Sequence, residues 1–240
     1  ATGEPIGSVS ISSADDVARA AARARAAQTE WSQRTLEERC KVLKQVKNVI
    51  IERTDDICDL LSKEQGKPKI EAMIHEVVNL VDLIHYYTGQ AHRILAPEPI
   101  PLHLLKHRGS YLHWVPRGVI GIIGPWNFPF NICSGPTVVA LIAGNGVIIK
   151  PSEFTPLIQD LAKEIFVQGG VPEDLIQVVN GYGETGTAVI DNVDMVEFTG
   201  SVATGRKVAA RCGERLIPCV TELGGKAPAL VLADANIERT

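Results

Sequence analysis

The 240-residue sequence has few features of a secreted, zinc-binding or membrane-inserted protein. Its five cysteines form no C-x-x-C pair, which argues against a disulfide framework and against a structural zinc site. The longest apolar runs, such as GVIGII, are too short to cross a bilayer. No charged-then-apolar signal segment opens the chain. We therefore expect a cytoplasmic protein, or one of an organelle matrix, without a membrane partner.

The sequence also lacks a strong excess of either charge. A net charge of -4 gives no electrostatic reason to expect nucleic acid as a partner. Apolar residues make up 45% and charged residues 22%, as in ordinary globular proteins with a sizeable core. His103 and His107 have a spacing that could share a metal on a helix, but their segment is predicted to be a strand without a nearby acid. We expect no metal site.

The first hundred residues are predicted to be helical. Ser13 precedes an alanine-rich stretch with acids in its first turn, and Thr35 and Glu38 form a capping box before the next apolar-periodic stretch. Gly66 is predicted to end that helix, and Pro68 to start another that runs to about residue 93. Beyond the break at LAPEPIP, residues 102–115 are predicted to form a β-hairpin with a turn near Gly109.

From Val119 onward, short apolar runs alternate with helix-length segments. The runs are VIGII, GVIIK, IQVVN, MVEF and IPCV. This alternation predicts parallel βαβ units in a doubly wound α/β sheet. Ligands of such sheets bind beyond the carboxyl ends of the strands, so the residues after each run are the candidates for a site.

Polar side chains follow the first two runs. Asn127, in GPWNFPF, lies in a loop stiffened by two prolines, where its amide could stabilise a developing negative charge or form an Asx-type turn. Lys150 and Glu153, in KPSE, could bind the hydroxyls of a ribose or form a solvated surface pair. These residues alone leave both alternatives open.

The third and fourth runs are followed by glycine-containing loops. GYGETG matches G-x-G-x-x-G, but the acid expected about 20 residues later is absent, because Arg206 stands there without a neighbouring acid. We interpret its glycines as tight-turn and close-packing residues. In FTGS, Gly200 permits a tight turn and Ser201 starts a helix, where free N–H groups bind phosphate; helix capping by Ser201 is compatible with that role.

An acid follows the fifth run. Glu222 lies at the end of a predicted strand, directly before the Leu-Gly-Gly of TELGGK. A carboxylate at this place could act as a general base on a substrate, or it could cap an adjacent turn.

Together, PWNFP, KPSE, FTGS and ELGGK resemble the NAD(P)-dependent aldehyde dehydrogenase superfamily, in the order that this family has them. The resemblance covers the whole chain and is to the amino-terminal half of the family. It implies an α/β fold with a Rossmann-type parallel sheet, an amino-terminal helical segment, a bridging hairpin and a catalytic domain that is largely missing. The resemblance implies four segments. Residues 1–101 are the helical part of the cofactor domain, and residues 102–115 are the hairpin of the oligomerisation arm. Residues 116–225 are the dinucleotide-binding region, and residues 226–240 are the start of the truncated catalytic domain.

The resemblance also implies a role for each motif residue in the oxidation of an aldehyde through a thioester. Asn127 corresponds to the amide that stabilises the oxyanion, and Glu222 to the base that activates water. The implied cofactor is NAD, with NADP possible, and its binding residues are Trp126, Lys150, Glu153, Gly200 and Ser201. Family members form dimers or tetramers, so a homo-oligomer is expected.

The sequence departs from the family at the nucleophile. The family's catalytic cysteine lies a few dozen residues beyond the acid of ELGG, and none of the eighteen residues after Glu222 is a cysteine. Cys219 is predicted to be a small core residue beside Ile217, rather than a substitute. We expect the chain alone to be inactive and to need a complementary carboxyl-terminal half. The alternative is a nicotinamide-dinucleotide-binding module without catalysis.

Overall fold

Helices form the amino-terminal part of the chain. The computed structural model describes residues 3–238. The first helices are α1 (Ala14–Gln33), α2 (Leu36–Glu52), α3 (Thr54–Gln65), α4 (Lys69–Ala72) and α5 (Asn79–Ile94), and a π-helical turn at Met73–Val78 joins the last two. Ser13 and Thr35 cap α1 and α2 in capping boxes with Asp16 and Glu38. Both predicted helix starts are therefore confirmed.

The helix expected between Thr35 and Gly66 is interrupted. Arg53 leaves the helical conformation, with φ of -101° and ψ of 20°, and separates α2 from α3. Its guanidinium group donates to Asp56 at 2.9 Å and to Glu164 at 2.6 Å. Neither Gly nor Pro marks this break in the sequence. The contact to Glu164 is long-range, so the local sequence does not indicate it. Gly66 does end α3, with a left-handed φ of 77°.

The antiparallel strands observed in this region coincide only partly with the hairpin predicted at residues 102–115. An antiparallel pair is present, but its strands are β1 (Glu98–Pro99) and β2 (Tyr111–Leu112), so only the second falls in the predicted range. Pro99 was an apparent breaker, yet an edge strand tolerates a residue without an N–H group. The segment with His103 and His107 forms turns and bends, which corrects the strand predicted there.

Five parallel strands form the central sheet. They are β3 (Val119–Ile123), β4 (Gly146–Lys150), β5 (Ile176–Val178), β6 (Met195–Gly200) and β7 (Cys219–Leu223). Their order across the sheet is β5-β4-β3-β6-β7, with all neighbours parallel. Every predicted apolar run contributes to one of these strands, and the α/β fold with a Rossmann-type sheet is confirmed.

Helices cover the sheet on both faces. The helices that connect the strands are α6 (Pro129–Ile142), α7 (Leu157–Gln168), α8 (Gly183–Asn192) and α9 (Val202–Glu214), and a 3₁₀ turn (Glu173–Leu175) precedes β5. One core lies between the sheet and α2, α3, α5, α6 and α7. The other lies between the sheet and α1, α8 and α9. No helix within residues 3–238 is long and apolar enough to cross a membrane.

The sheet is unevenly covered. All residues of β3 and β4 are buried, whereas β6 alternates between buried and half-buried positions and β7 has none that is buried. Val196 and Phe198 of β6 face the second core. By alternation, Glu197 and Thr199 face the opposite side, which the described residues leave partly open. This open face lies beside the candidate site.

Candidate active site

A cleft of about 1280 Å³ opens at the carboxyl ends of the strands. The chain winds from β3 through β4 to β5 in one direction and then returns to β6 on the other side of β3. The strand order therefore reverses between β3 and β6, and α/β sheets bind their ligands beyond such a switch point. Loops from both strands line the cleft, including Asn127 after β3 and Ser201 after β6.

The loop after β3 presents Trp126 and Asn127 to the cleft. Both side chains are exposed and line it. Within residues 3–238 the side-chain amide of Asn127 makes no hydrogen bond, so the bond that defines an Asx turn is not formed. Gly124 at the start of the loop lies against Cys133 of α6, where a Cβ would come within 2.1 Å of the sulfur. The loop backbone is thus closely packed while its amide is free to meet a ligand.

Two charged residues from the amino-terminal part of the chain hold the backbone of this loop: Lys67 lies between α3 and α4, and Glu76 lies on the π-helical turn. Lys67 Nζ donates to the carbonyl oxygen of Asn127 at 2.7 Å and pairs with Glu76. Glu76 is completely buried, and its Oε2 accepts from the backbone N–H groups of Phe130 at 2.8 Å and Asn131 at 3.2 Å. Neither residue is predicted from the sequence. A buried acid in the middle of a helical stretch has no local signal, because only the tertiary contact explains it.

Lys150 and Glu153 lie together at the end of β4. The Lys150 side chain is 7% exposed, and its Nζ donates to the carbonyl oxygen of Pro151 at 2.8 Å. Glu153 Oε2 lies 3.8 Å from that nitrogen and is more exposed. Burial lowers the pKa of Lys150, and the charge of Glu153 opposes that effect. Because the amine is buried against the cleft, this is not a solvated surface pair.

The turn after β6 joins Gly200 to the start of α9. Ser201 caps this helix, since its Oγ accepts from the N–H of Thr204 at 3.2 Å. Gly200 packs against the ring of Phe198, where a Cβ would come within 2.7 Å. Ser201 and Thr204, from the cap and the first turn of α9, line the cleft, and such a helix start suits a phosphate.

The GYGETG loop borders the same cleft. Gly181 has a φ of 151°, and a Cβ there would come within 2.1 Å of Thr185 Oγ1. This geometry matches the interpretation of its glycines as tight-turn and packing residues. Helix α8 starts inside the motif at Gly183, and both Gly183 and Gly186 line the cleft opposite Lys150.

Glu222 lies on β7, beside Thr199 of β6 in the strand register. Its side chain is exposed and lines the cleft. Glu197 lies diagonally across from it on the same face of the sheet. Burial raises the pKa of Glu197, and the charge of Glu222 raises it further. Glu197 is not among the residues predicted from the sequence, although its alternation with Phe198 places it on the open face.

None of the five cysteines lies in an environment that favours its thiolate form. Burial raises the pKa of Cys133 and of Cys212 to about 12, the latter with a further contribution from Cys219. It also raises the pKa of Cys40, Cys58 and Cys219 above the ordinary value. Cys219 is half-buried and packs with Ile217 against the second core, which agrees with a packing role.

The structure brings all the predicted site residues to one cleft. The residues are Trp126, Asn127, Lys150, Glu153, Gly200, Ser201 and Glu222. They come from the carboxyl ends of β4, β6 and β7 and from the loops that follow β3, β4 and β6, which are far apart in sequence. Their individual roles stay predictions.

Comparison with known proteins gives a consistent picture. The model of the aldehyde dehydrogenase family matches residues 1–240. A relative from Mycolicibacterium smegmatis, provisionally named a succinate-semialdehyde dehydrogenase (NADP(+)), is 37% identical over 99% of this chain and 46% of its own length. The chain thus spans about half the length of the curated relatives that it matches.

Solved structures agree with the sequence comparison. An NADP-dependent enzyme of E. coli superposes on 99% of this chain and 50% of its own, with 32% identity and a TM-score of 0.92. An aldehyde dehydrogenase of Bacillus cereus in complex with NAD+ superposes on 95% of this chain and 47% of its own, with 32% identity and a TM-score of 0.87.

Proposed function

This chain belongs to the aldehyde dehydrogenase family, and we propose that it forms the amino-terminal half of an enzyme that oxidises an aldehyde to a carboxylic acid with NAD or NADP. The observation that carries the proposal is the convergence of Asn127, Lys150, Ser201 and Glu222 on one cleft at the switch point of the sheet. We call the enzyme with both halves the complete enzyme.

The residues of the cleft fit a nicotinamide dinucleotide. The cleft is larger than the pockets typical of drug-sized ligands. Lys150 and Glu153 would bind the adenosine ribose, and Trp126, Gly200 and Ser201 would contact phosphate at the start of α9. Gly200 leaves the turn before α9 without a side chain, and a Cβ there would clash with the ring of Phe198, which also lines the cleft. When bound, the nicotinamide ring accepts a hydride from the substrate.

The chain would contribute two groups to the chemistry. A cysteine thiolate of the other half attacks the aldehyde carbon, and the Asn127 amide stabilises the oxyanion that forms. Loss of the hydride leaves a thioester. Glu222 then takes a proton from water, which attacks the thioester and releases the carboxylic acid. The exposure of both side chains to one cleft supports these roles.

The open face of the sheet supports a complementary half as partner. Val220 of β7, which pairs with Glu197 in the strand register, is 41% exposed on that face. Leu230, Leu232 and Ile237 follow on an exposed segment without helix or strand. Clustered exposed apolar side chains mark interaction surfaces. A second domain packed over β6 and β7 would bury them and close the site around Glu222.

A homo-oligomer is also proposed. The β1–β2 pair and its connection expose several large apolar side chains. These are Ile100, Leu104, Leu105, Tyr111, Trp114 and Val115. A projecting arm with such a surface is suited to packing against another subunit.

The direct test is cofactor reduction by the complete enzyme. Absorbance of the reduced nicotinamide should rise with an aldehyde present and not without it. A complete protein that binds NAD or NADP but reduces neither with any aldehyde would instead support the alternative, a dinucleotide-binding module without catalysis.

We predict that the complete enzyme binds NAD more tightly than NADP. The Glu153 carboxylate at the ribose hydroxyls would accept hydrogen bonds from NAD but repel the 2′-phosphate of NADP. Titrations with both cofactors measure this preference, and Glu153→Gln should reduce it. Lys150 Nζ lies 3.8 Å from Glu153 Oε2, and its positive charge weakens the repulsion of the 2′-phosphate. Tighter binding of NADP than of NAD would refute the role of Glu153.

A polypeptide of these 240 residues alone is predicted to be inactive toward aldehydes. Thiolates are the nucleophilic form of cysteine, and the five cysteines have raised pKa values. Aldehyde-dependent reduction of NAD by the purified polypeptide is the measurement, with the Cys219→Ser variant as control. Activity that this substitution abolishes would show that Cys219 is a nucleophile.

A further inference from the structure

Glu76 is a buried carboxylate outside the cleft that the proposed chemistry does not use. It lies on the π-helical turn Met73–Val78, and its side chain is completely buried. Its Oε2 accepts from the N–H groups of Phe130 and Asn131, in the first turn of α6. These N–H groups have no partner within their own helix, and a carboxylate also interacts favourably with the positive end of the helix dipole.

Lys67 connects this carboxylate to the loop that carries Asn127. Its ammonium group pairs with Glu76 Oε1, donates to the Asn127 carbonyl at 2.7 Å and lies 4.3 Å from the ring centroid of Phe128. The Lys67 side chain is 9% exposed, so water screens this pair only weakly. The ion pair therefore holds the loop at Asn127 and again at the start of α6.

We infer that Lys67 and Glu76 are positioning residues that hold the Asn127 amide in its reactive orientation. The inference rests on the proposed oxyanion role of Asn127. The backbone at Asn127 and at the start of α6, just after it, is held by charged groups from a distant segment, while the Asn127 side chain is left free. A catalytic amide must be preorganised to stabilise a charge that develops only during the reaction.

Glu64 provides a matched control within the same chain. It also lies on the segment before the sheet, and it accepts from the N–H groups of Leu157 at 2.6 Å and Ile158 at 3.2 Å, at the start of α7. Burial raises the pKa of Glu64 to about 7, although the two N–H donors oppose the shift. Glu64 thus makes the same kind of helix-capping contact without touching the Asn127 loop.

The test compares kcat per folded molecule of the complete enzyme in two backgrounds, wild type and Asn127→Ala. The main variant is Lys67→Met/Glu76→Gln, which removes both charges and so leaves neither unpaired in the interior. In the wild-type background we expect kcat to fall by up to about 10²-fold, because a misplacement of about 1 Å by a distant mutation can cost that much. The KM for the cofactor should stay unchanged.

In the Asn127→Ala background the same pair of substitutions should cost little further activity, because the amide that they position is already gone. Glu64→Gln should leave kcat per folded molecule unchanged in the wild-type background. If the double variant does not fold, Lys67→Arg replaces it. This substitution keeps the cation beside Glu76 but alters the donor to the Asn127 carbonyl. It should lower kcat in the wild-type background and change kcat little in the Asn127→Ala background.

Three results would overturn the inference: a wild-type kcat in the folded variant, an equal loss in both backgrounds, or an equal loss for Glu64→Gln. If Asn127→Ala by itself left kcat intact, the proposed role of Asn127 would fall, and this inference with it. If Asn127→Ala slowed the reaction while the positioning variants did not, only the inference would fall.

Discussion

Replacing Asn127 with alanine in the complete enzyme is expected to lower kcat and kcat/KM by similar factors, about 10² to 10³. The amide would meet the aldehyde oxygen only when that oxygen becomes negative, so its loss would affect the transition state more than the bound substrate. Steady-state kinetics with a fixed aldehyde measures the effect. Cofactor affinity should change little, because the proposed cofactor contacts lie at Lys150, Glu153 and Ser201.

The opposite outcome has a clear signature. If Asn127 only maintained its own turn, alanine would lower the melting temperature and weaken cofactor binding, while kcat per folded molecule stayed nearly intact. The structure makes this outcome the less expected one. The side-chain amide forms no hydrogen bond within residues 3–238, so its removal breaks no contact of the turn.

Replacing Glu222 with glutamine should separate the two halves of the reaction. The proposed base acts on the water that attacks the thioester, after the hydride has left. We therefore expect a pre-steady-state burst of reduced cofactor close to one equivalent per site, followed by a greatly slowed steady state. Loss of a general base typically costs about 10²- to 10⁴-fold in rate. Stopped-flow absorbance resolves the two phases.

The control for Glu222→Gln is Glu52→Gln, which removes one exposed carboxylate from the end of α2, far from the cleft. This variant should keep both the burst and the steady state. Disappearance of the burst together with turnover in Glu222→Gln would mean that Glu222 is needed earlier, for the thiol or for the architecture of the site.

The central sheet and the loops of the site were predictable from the sequence for a local reason. Parallel strands covered on both faces appear as short apolar runs, and the carboxyl end of each run marks where ligand contacts belong. Asn127, Lys150, Ser201 and Glu222 each follow or end such a run. Their meeting in one cleft follows from the strand order, which the alternation with helices restricts strongly.

The features that were not predictable depend on partners distant in sequence. Arg53 breaks a helix where its guanidinium group reaches Glu164, 111 residues away. Glu76 is buried because it meets the first turn of α6, 54 residues away. The strand at Glu98–Pro99 pairs with a segment that local propensity alone could not select. In each case a tertiary contact overrides the local pattern.

The packing partners of α1 lie far away in sequence, and this distance affects how the chain folds during synthesis. Its partners come late in synthesis: Arg25 pairs with Asp194, 169 residues away, and the N–H of Ser12 donates to the carbonyl oxygen of Asn180 at 2.7 Å. At about 5–20 residues per second, a ribosome needs roughly 10–30 s to reach those partners. During that interval the apolar face of α1, with Val17, Ala20 and Ala24, lacks α8, with which it packs in the second core. Helix α1 is therefore fully packed only long after its own synthesis, so the nascent chain would expose part of that face to chaperones until α8 has emerged.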